Sequence, residues 1–336
     1  MLSGDKTMSR ITALKKTYAM AQSISAQRGG AALRYFIDAV FCAYRHGTSP
    51  ENYFVLRFFN LSSAQRGEYL TSGRSKAADR ALNKSATNED KMLLADKARF
   101  NAAFAEFVRR DSVYAPECGF AAFSAFLDRH EDFMVKPTHG TMGRGIERLN
   151  VHQLSCKEEL FRSCRENKLL LEEIICQHPE LERIGGKCVS SVRINAARGV
   201  DGVVTLIGAC LKCGGAGACT DNFHSGGVAF PVDVNTGCVT GAGRNNTTLE
   251  DFYTSPATGE YVPDFVIPFW NEIINCVYRA MDIVPSIGYV GWDIAVTANG
   301  AELIEGNYSW PGGNIIQFDN IGKYKLLKKC VGEAND

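Results

Sequence analysis

Along residues 1–90 the apolar side chains recur in helical steps. Ala32, Tyr35, Phe36, Ala39, Val40 and Ala43 fall three and four positions apart, in surroundings rich in Ala, Lys, Arg and Leu, so this part of the chain is predicted to be a helical N-terminal region. Ser49-Pro50 and the polar stretch 83–90 interrupt it, the second marking a joint with the rest of the chain. Beyond Lys97 the period changes. Helical patterns over 100–110 and 120–130 give way to short apolar runs at 133–136, 169–171, 189–197 and 203–211, which read as strands. Glycines cluster at 140/143/145, 214/215/217, 226/227 and 312/313, where the chain must turn tightly or bring its backbone close to a ligand. Strands and helices mixed in this way, with glycine loops between strands, predict an α+β fold built in layers.

Composition narrows the class. A chain of 336 residues has room for two or three lobes, and 45% hydrophobic with 22% charged residues is ordinary globular usage. The 37 Lys+Arg balance 37 Asp+Glu, so there is no basic excess of the kind that nucleic acid or a membrane surface would draw, and neither is expected as a partner. No apolar run approaches the roughly 18 residues of a spanning helix, and residues 1–16 lack the apolar centre of a signal peptide, which leads us to expect a cytoplasmic protein. In a reducing compartment the 12 Cys are expected to pack as small hydrophobes. The tightest group, Cys210, Cys213 and Cys219, has no second half at zinc-ligand spacing.

Four stretches carry residues suited to chemistry. Val135-Lys136 ends a strand and runs into Gly140, Thr141, Met142, Gly143 and Gly145, a flexible loop whose N–H groups can converge on phosphate oxygens beside a lysine point charge; the same residues also fit a surface turn. Leu169-Leu170-Leu171 leads into Glu172, Glu173, Ile174 and Ile175, which suits a hinge reading an adenine edge or a buried strand ending in a solvated acidic turn. Beyond it His178 fits a ribose contact or a turn cap. In Ser191 to Ala196 strand alternation puts Arg193 and Asn195 on one polar face and Val192, Ile194 and Ala196 on a packed one. There Arg193 can fork onto a phosphate or an oxyanion, or pair with a neighbouring carboxylate, and Lys212 adds a second charge at the end of the next run. Last, Gly291-Trp292-Asp293 and Leu303-Ile304-Glu305-Gly306-Asn307 flank an Asn299-Gly300 turn, offering oxygen ligands of the type Mg²⁺ takes, or simply acids on an exposed hairpin.

Lysine with a glycine loop, hinge, arginine strand and acidic hairpin, in that order over about residues 90–320, resemble the ATP-grasp superfamily. The runs Tyr53 to Phe59 (YFVLRFF) and Thr220 to Val228 (TDNFHSGGV) resemble its sugar-transfer-associated branch. The resemblance implies an ATP-grasp fold over 91–336, with a smaller glycine-loop lobe at about 97–175 and a larger metal-site lobe at about 176–325. It implies ATP and Mg²⁺ as cofactors, with Lys97 and Lys136 as the nucleotide lysines, 140–145 as the loop, 172–175 as the adenine hinge and Asp293, Glu305 and Asn307 as metal ligands. After the hinge, His178 or Glu180 takes the place of the ribose-binding acid. Residues 1–90 depart from the Rossmann-like first lobe of many relatives.

The activity so implied is a carboxylate–amine ligase acting on small-molecule acid and amine substrates through an acyl phosphate, in cell-surface sugar or capsule modification, with Arg193, Lys212 and Asn222 at the reacting groups. A small-molecule kinase and a nucleotide-binding protein without turnover are the alternatives. Turn arithmetic adds one geometric expectation. A three-residue loop, Ala298-Asn299-Gly300, would pair Thr297 with Ala301 and set Asp293 opposite Glu305, with Asn307 on the same face.

Overall fold

A computed structural model describes residues 3–140, 145–217, 221, 223, 226–309 and 311–332. Helices Ser3–Arg28 (α1), Ala32–His46 (α2), Pro50–Val55 (α3), Ser63–Glu68 (α4) and Ser72–Leu82 (α5) form the N-terminal region. Their starts reflect local chemistry: Ser49 accepts from the Asn52 N–H ahead of Pro50 at the first turn, and Ser62 with Gln65 closes a capping box. Asn88–Ala95 (α6) and Lys97–Ala103 (α7) come next. The helix expected over 100–110 stops at Ala103; Phe104 and Phe107 pack into the core from irregular backbone instead.

Beyond them lie two antiparallel sheets. The smaller joins Ser112–Tyr114 (β1), Asp132–Pro137 (β2), Glu147–Asn150 (β3) and Leu169–Glu173 (β4) in the order β1-β4-β2-β3. Helices Phe120–Arg129 (α8) and Lys157–Glu166 (α9) lie on it, burying Phe123, Phe126, Leu127 and Cys164 against Phe133 and Leu171. After Pro179–Gly185 (α10), the larger sheet joins Ser191–Arg198 (β5), Val204–Cys213 (β6), Val228–Val232 (β7), Tyr289–Thr297 (β8) and Gly300–Asn307 (β9) in the order β7-β6-β5-β8-β9. Trp270–Ile283 (α11) covers one face with Ile273, Cys276, Val277, Ala280 and Met281. Burial of each of the larger ones, Ile273, Val277 and Met281, stabilises the packing by about 1.5–3 kcal/mol.

The other face of that sheet departs from expectation. Arg193 and Asn195, expected on an open polar face, are 8% and 0% exposed. Tyr53, Phe54, Leu56, Phe58, Tyr69 and Leu70 of the N-terminal region, with Ile316, Phe318 and Leu327 of the segment ending in Tyr324–Val331 (α12), form a second core on that side. The YFVLRFF run is thus the cover of the sheet. Cys210 and Cys213, three apart in an extended strand, fall into opposite cores and cannot act as a pair.

The β8–β9 turn is a second correction. Thr297 pairs with Gly300 across a two-residue Ala298-Asn299 loop, not with Ala301 across three residues. That register alone would set Asp293 opposite Ile304. A bulge intervenes: Ile294 pairs with Leu303 but Asp293 pairs with Glu305, leaving Ile304 as the extra residue. Asp293 and Glu305 therefore do face each other, brought there by the bulge and not by the turn.

Candidate functional site

On the covered face of the larger sheet the register aligns polar side chains in cross-strand rows. Lys212, Ser191, Ala295 and Glu302 form one row; Cys210, Arg193, Asp293 and Glu305 the next; Gly208, Asn195, Gly291 and Asn307 the third. Arg193 forks onto Asp293, Nε to Oδ1 and Nη2 to Oδ2 both at 2.7 Å, and gives Nη1 to the Pro311 carbonyl at 2.8 Å. Lys212 Nζ adds a contact to Asp293 Oδ1 at 3.1 Å. Burial would raise the Asp293 carboxyl, but Arg193 and Lys212 outweigh it and hold the group well below the usual carboxylate range. Gly291 makes room for this: a Cβ there would meet the Pro311 oxygen at 2.4 Å, so only glycine lets the 311 carbonyl close on Arg193.

Glu305, opposite Asp293 in the register, accepts at Oε1 from Asn307 Nδ2 at 2.9 Å. Two carboxylates and an amide oxygen are hard donors of the kind Mg²⁺ binds through one or two acids plus substrate phosphates. The cations around Asp293 keep it ionised, as a ligand must be. By donor type the set suits Mg²⁺, and Arg193 and Lys212, which engage both Asp293 oxygens, would have to yield one of them to the ion.

The smaller sheet supplies a second charged cluster. Lys136 at the end of β2 forms an ion pair with Glu172 of β4. Arg110 bridges the sheets, its Nε 3.1 Å from Glu172 Oε2 and its Nη1 2.8 Å from Glu302 Oε1 of β9. Asn101 of α7 donates to Glu172 Oε1 at 2.7 Å. Burial alone would push the Glu172 carboxyl up; Arg110 and Lys136 bring it down to about 2. Burial, reinforced by Arg110, pulls the Lys136 ammonium down despite Glu172. Because Glu302 shares a row with Lys212 and Ser191, Arg110 ties the Lys136 cluster to the Arg193 cluster across the space between the sheets.

The remaining sequence-predicted residues fall into several environments. Asp96 caps α7 by accepting from the Ala98 and Arg99 N–H groups at 2.9 and 3.0 Å, so that Lys97 starts the helix and reaches the Gly140 carbonyl with Nζ at 3.1 Å. Lys97 thus stands at the mouth of the glycine loop, whose described ends, Gly140 and Gly145, take φ of 132° and 72°. Thr141, Met142, Gly143 and Asn222 lie outside the described residues. Glu173 Oε2 accepts from the Asp111 N–H at 3.0 Å, and Ile174 and Ile175 are half-buried beyond β4. His178 Nδ1 caps α10 through the Glu180 N–H at 3.2 Å, which commits that nitrogen to the helix start.

Sequence reasoning missed Arg110 and Glu302, and took in Asp221 only as a member of a longer run. Asp221 Oδ2 accepts from both the N–H and the hydroxyl of Ser191 and stands 3.7 Å from Lys212 Nζ, closing the far end of the first row. Its place in the TDNFHSGGV run was a signal. Arg110 and Glu302 offered none, since their partners are 62 and 192 residues from Arg110.

A family model described as sugar-transfer associated ATP-grasp matches residues 91–329. No curated protein matches the sequence. Among solved structures, the ATP-grasp ligase PsnB, complexed with a phosphomimetic variant of its minimal precursor, Mg and ADP, is 14% identical over 74% of this chain and 61% of that one, with a TM-score of 0.44. N5-carboxyaminoimidazole synthetase from Staphylococcus aureus, complexed with ADP, is 12% identical over 75% of this chain and 55% of that one, with a TM-score of 0.46. The chain spans less than two thirds of the length of either.

Proposed function

The chain belongs to the sugar-transfer-associated ATP-grasp family, and from that premise we propose that it is an ATP-dependent carboxylate–amine ligase. The observation that carries the proposal is the row holding Arg193, Asp293 and Glu305, flanked by Lys212 and Asn307 and tied through Arg110 to Lys136. In this reading the γ-phosphoryl group of ATP passes to a substrate carboxylate oxygen, releasing ADP and leaving an acyl phosphate. An amine then attacks the acyl carbon, phosphate departs, the nitrogen gives up its proton, and an amide results. Cell-surface sugar or capsule modification is the setting we propose, on the family name alone.

The chain's own residues supply positioning and charge, the main needs of phosphoryl transfer. Lys97 and Lys136 would meet the polyphosphate beside the 140–145 loop, and residues 172–175 would border the adenine, with His178 or Glu180 near the ribose. Asp293, Glu305 and Asn307 would hold Mg²⁺, which neutralises phosphate charge when bound. Arg193, Lys212 and Asn222 would gather at the transferred group, and Asp221 would position Lys212. The cover built from the N-terminal helices keeps water from that face, which an acyl phosphate requires. Among the described residues no helix is long and apolar enough to cross a membrane.

The test is ADP release from ATP and Mg²⁺ with panels of acids, amines and alcohols. Release that needs an acid and an amine together, with the amide found by mass spectrometry, is the expected result. An alcohol sufficing alone would make the protein a kinase, and nucleotide binding without turnover across the panels would make it a binding protein; either overturns the ligase reading.

A further inference from the structure

Large apolar side chains exposed among the described residues stand in ones and twos over most of the surface, but on α1 and α2 they gather. Along α2, Leu33, Ile37, Val40, Phe41 and Tyr44 recur in steps of three and four and fall within about 100° of helix arc. Ala39 and Cys42, on the other side of the helix, are buried in the core that covers the larger sheet. The helix is thus apolar on two sides, and the protein covers one of them. Gly29 and Gly30, at φ 79° and 83°, turn the chain so that α1 packs beside α2. Tyr18 of α1 meets Phe36 of α2 edge to face, with ring centroids 5.7 Å apart. Ile11 and Leu14, seven and four residues before Tyr18, are exposed on the same side of α1, so the stripe on α2 continues onto α1.

Charge indicates what this face would meet. The neutral balance of the whole chain hides a local excess: residues 11–46 hold Lys15, Lys16, Arg28, Arg34 and Arg45 against Asp38 alone. Asp38 is spent inside the fold, accepting from Arg66 Nη1 and Nη2 at 2.8 and 2.7 Å and from the Tyr53 hydroxyl at 2.6 Å. Helical spacing sets Arg34 and Arg45 along the Phe41 side of the stripe and Lys15 beside Ile11. All three are exposed and, among the described residues, none has a carboxylate partner.

We propose that the face shared by α1 and α2 is a docking surface for an anionic lipid bilayer, with its apolar side chains in the headgroup layer and its bases on lipid phosphates. Helices with an apolar stripe flanked by Lys and Arg lie along such a surface without crossing it. Tyr18, Phe41 and Tyr44 are of the aromatic type that settles between water and hydrocarbon. Shape agrees with charge. A helix pair is convex, and Tyr44 stands out from it at 90% exposure, which a soft headgroup layer accepts and a rigid partner would have to match with a pocket. A second copy would bring the same bases together with no free acid on the face to pair them. Such docking does not depend on which reaction the candidate site performs.

Flotation of the full chain with vesicles of equal parts phosphatidylglycerol and phosphatidylcholine, and with phosphatidylcholine alone, tests the proposal. Binding to the mixed vesicles is expected to be at least tenfold tighter than to the neutral ones, and to weaken with added salt. Ile37→Gln with Phe41→Gln should weaken it at least tenfold. Arg34→Gln with Arg45→Gln should do the same, since each base near an anionic surface is worth about fivefold in affinity. All four side chains are exposed, so neither pair of substitutions should move the thermal midpoint. No binding to the mixed vesicles, equal binding to the neutral ones, or undiminished binding by either double variant overturns the proposal. A wild-type dimer in sedimentation that Ile37→Gln with Phe41→Gln converts to monomer would put a second copy on this face and overturn it as well.

Discussion

Glu172 is where the two sheets are tied, and Glu172→Gln tests how much that tie is worth. The substitution keeps an oxygen for the Asn101 amide but removes the charge that Lys136 and Arg110 share. Arg110 retains Glu302 at 2.8 Å, whereas among the described residues no other carboxylate pairs with Lys136. Against burial, which favours the neutral acid, Arg110 and Lys136 lower the Glu172 carboxyl from 4.5 to about 2. At 1.36 kcal/mol per unit this is about 3 kcal/mol of stability at neutral pH, comparable with the cost of breaking a buried ion pair. The folded pKa lies below the unfolded one, so the contribution is complete above pH 4.5 and is lost as pH falls toward 2. Linkage leaves about 2 kcal/mol at pH 3.5. Urea unfolding of wild type and variant at pH 7 and pH 3.5 should show that gap narrowing, with a thermal midpoint about 4 °C lower for the variant at pH 7. Equal stabilities at pH 7, or a gap that stays constant with pH, would refute the reasoning.

Two further substitutions address the nucleotide. Lys136→Met should weaken Mg-ATP binding about ten- to a hundredfold, the worth of a charge-assisted hydrogen bond; unchanged affinity by calorimetry in a folded variant would remove Lys136 from the phosphates. Arg193→Lys should lower turnover at least tenfold with Mg-ADP affinity within threefold, because a point charge does not reproduce the planar fork. An equal loss of ADP affinity would make Arg193 a nucleotide anchor.

What could be read from the sequence was whatever neighbouring residues determine. The helical N-terminal region, the β2 strand before the glycine loop and the polar alternation of β5 are local periodicities, and the structure has them. What covers a face is not local. Alternation correctly put Arg193 and Asn195 on one side of β5, but their burial depends on Tyr53, Phe54 and Phe58, more than a hundred residues away, so an open face and a closed one read alike. Glu172 had the same ambiguity: a strand ending in two acids looks solvated until Arg110 and Lys136 are placed beside it. The turn-cap reading of His178 was legible because His-Pro-Glu is a helix start, with Pro at the first turn.

The β8–β9 hairpin shows how a correct contact can come from a wrong turn. Requiring Asp293, Glu305 and Asn307 on one face fixed the parity of the pairing but not where the odd residue sits. A three-residue loop and a two-residue loop with a bulge after it satisfy that parity equally well. The chain uses the second, with the extra residue at Ile304, immediately before Glu305. The difference matters to the site. An irregularity at the tip would leave regular ladder through the acids, whereas a bulge next to them bends β9 and increases its twist where Glu305 and Asn307 project. It also leaves Glu302, on the turn side of the bulge, on the same face as Glu305, which a regular strand would forbid for residues three apart. Glu302 can then hold Arg110 while Glu305 faces Asp293. One extra residue thus lets a single strand serve both the tie between the sheets and the candidate metal site.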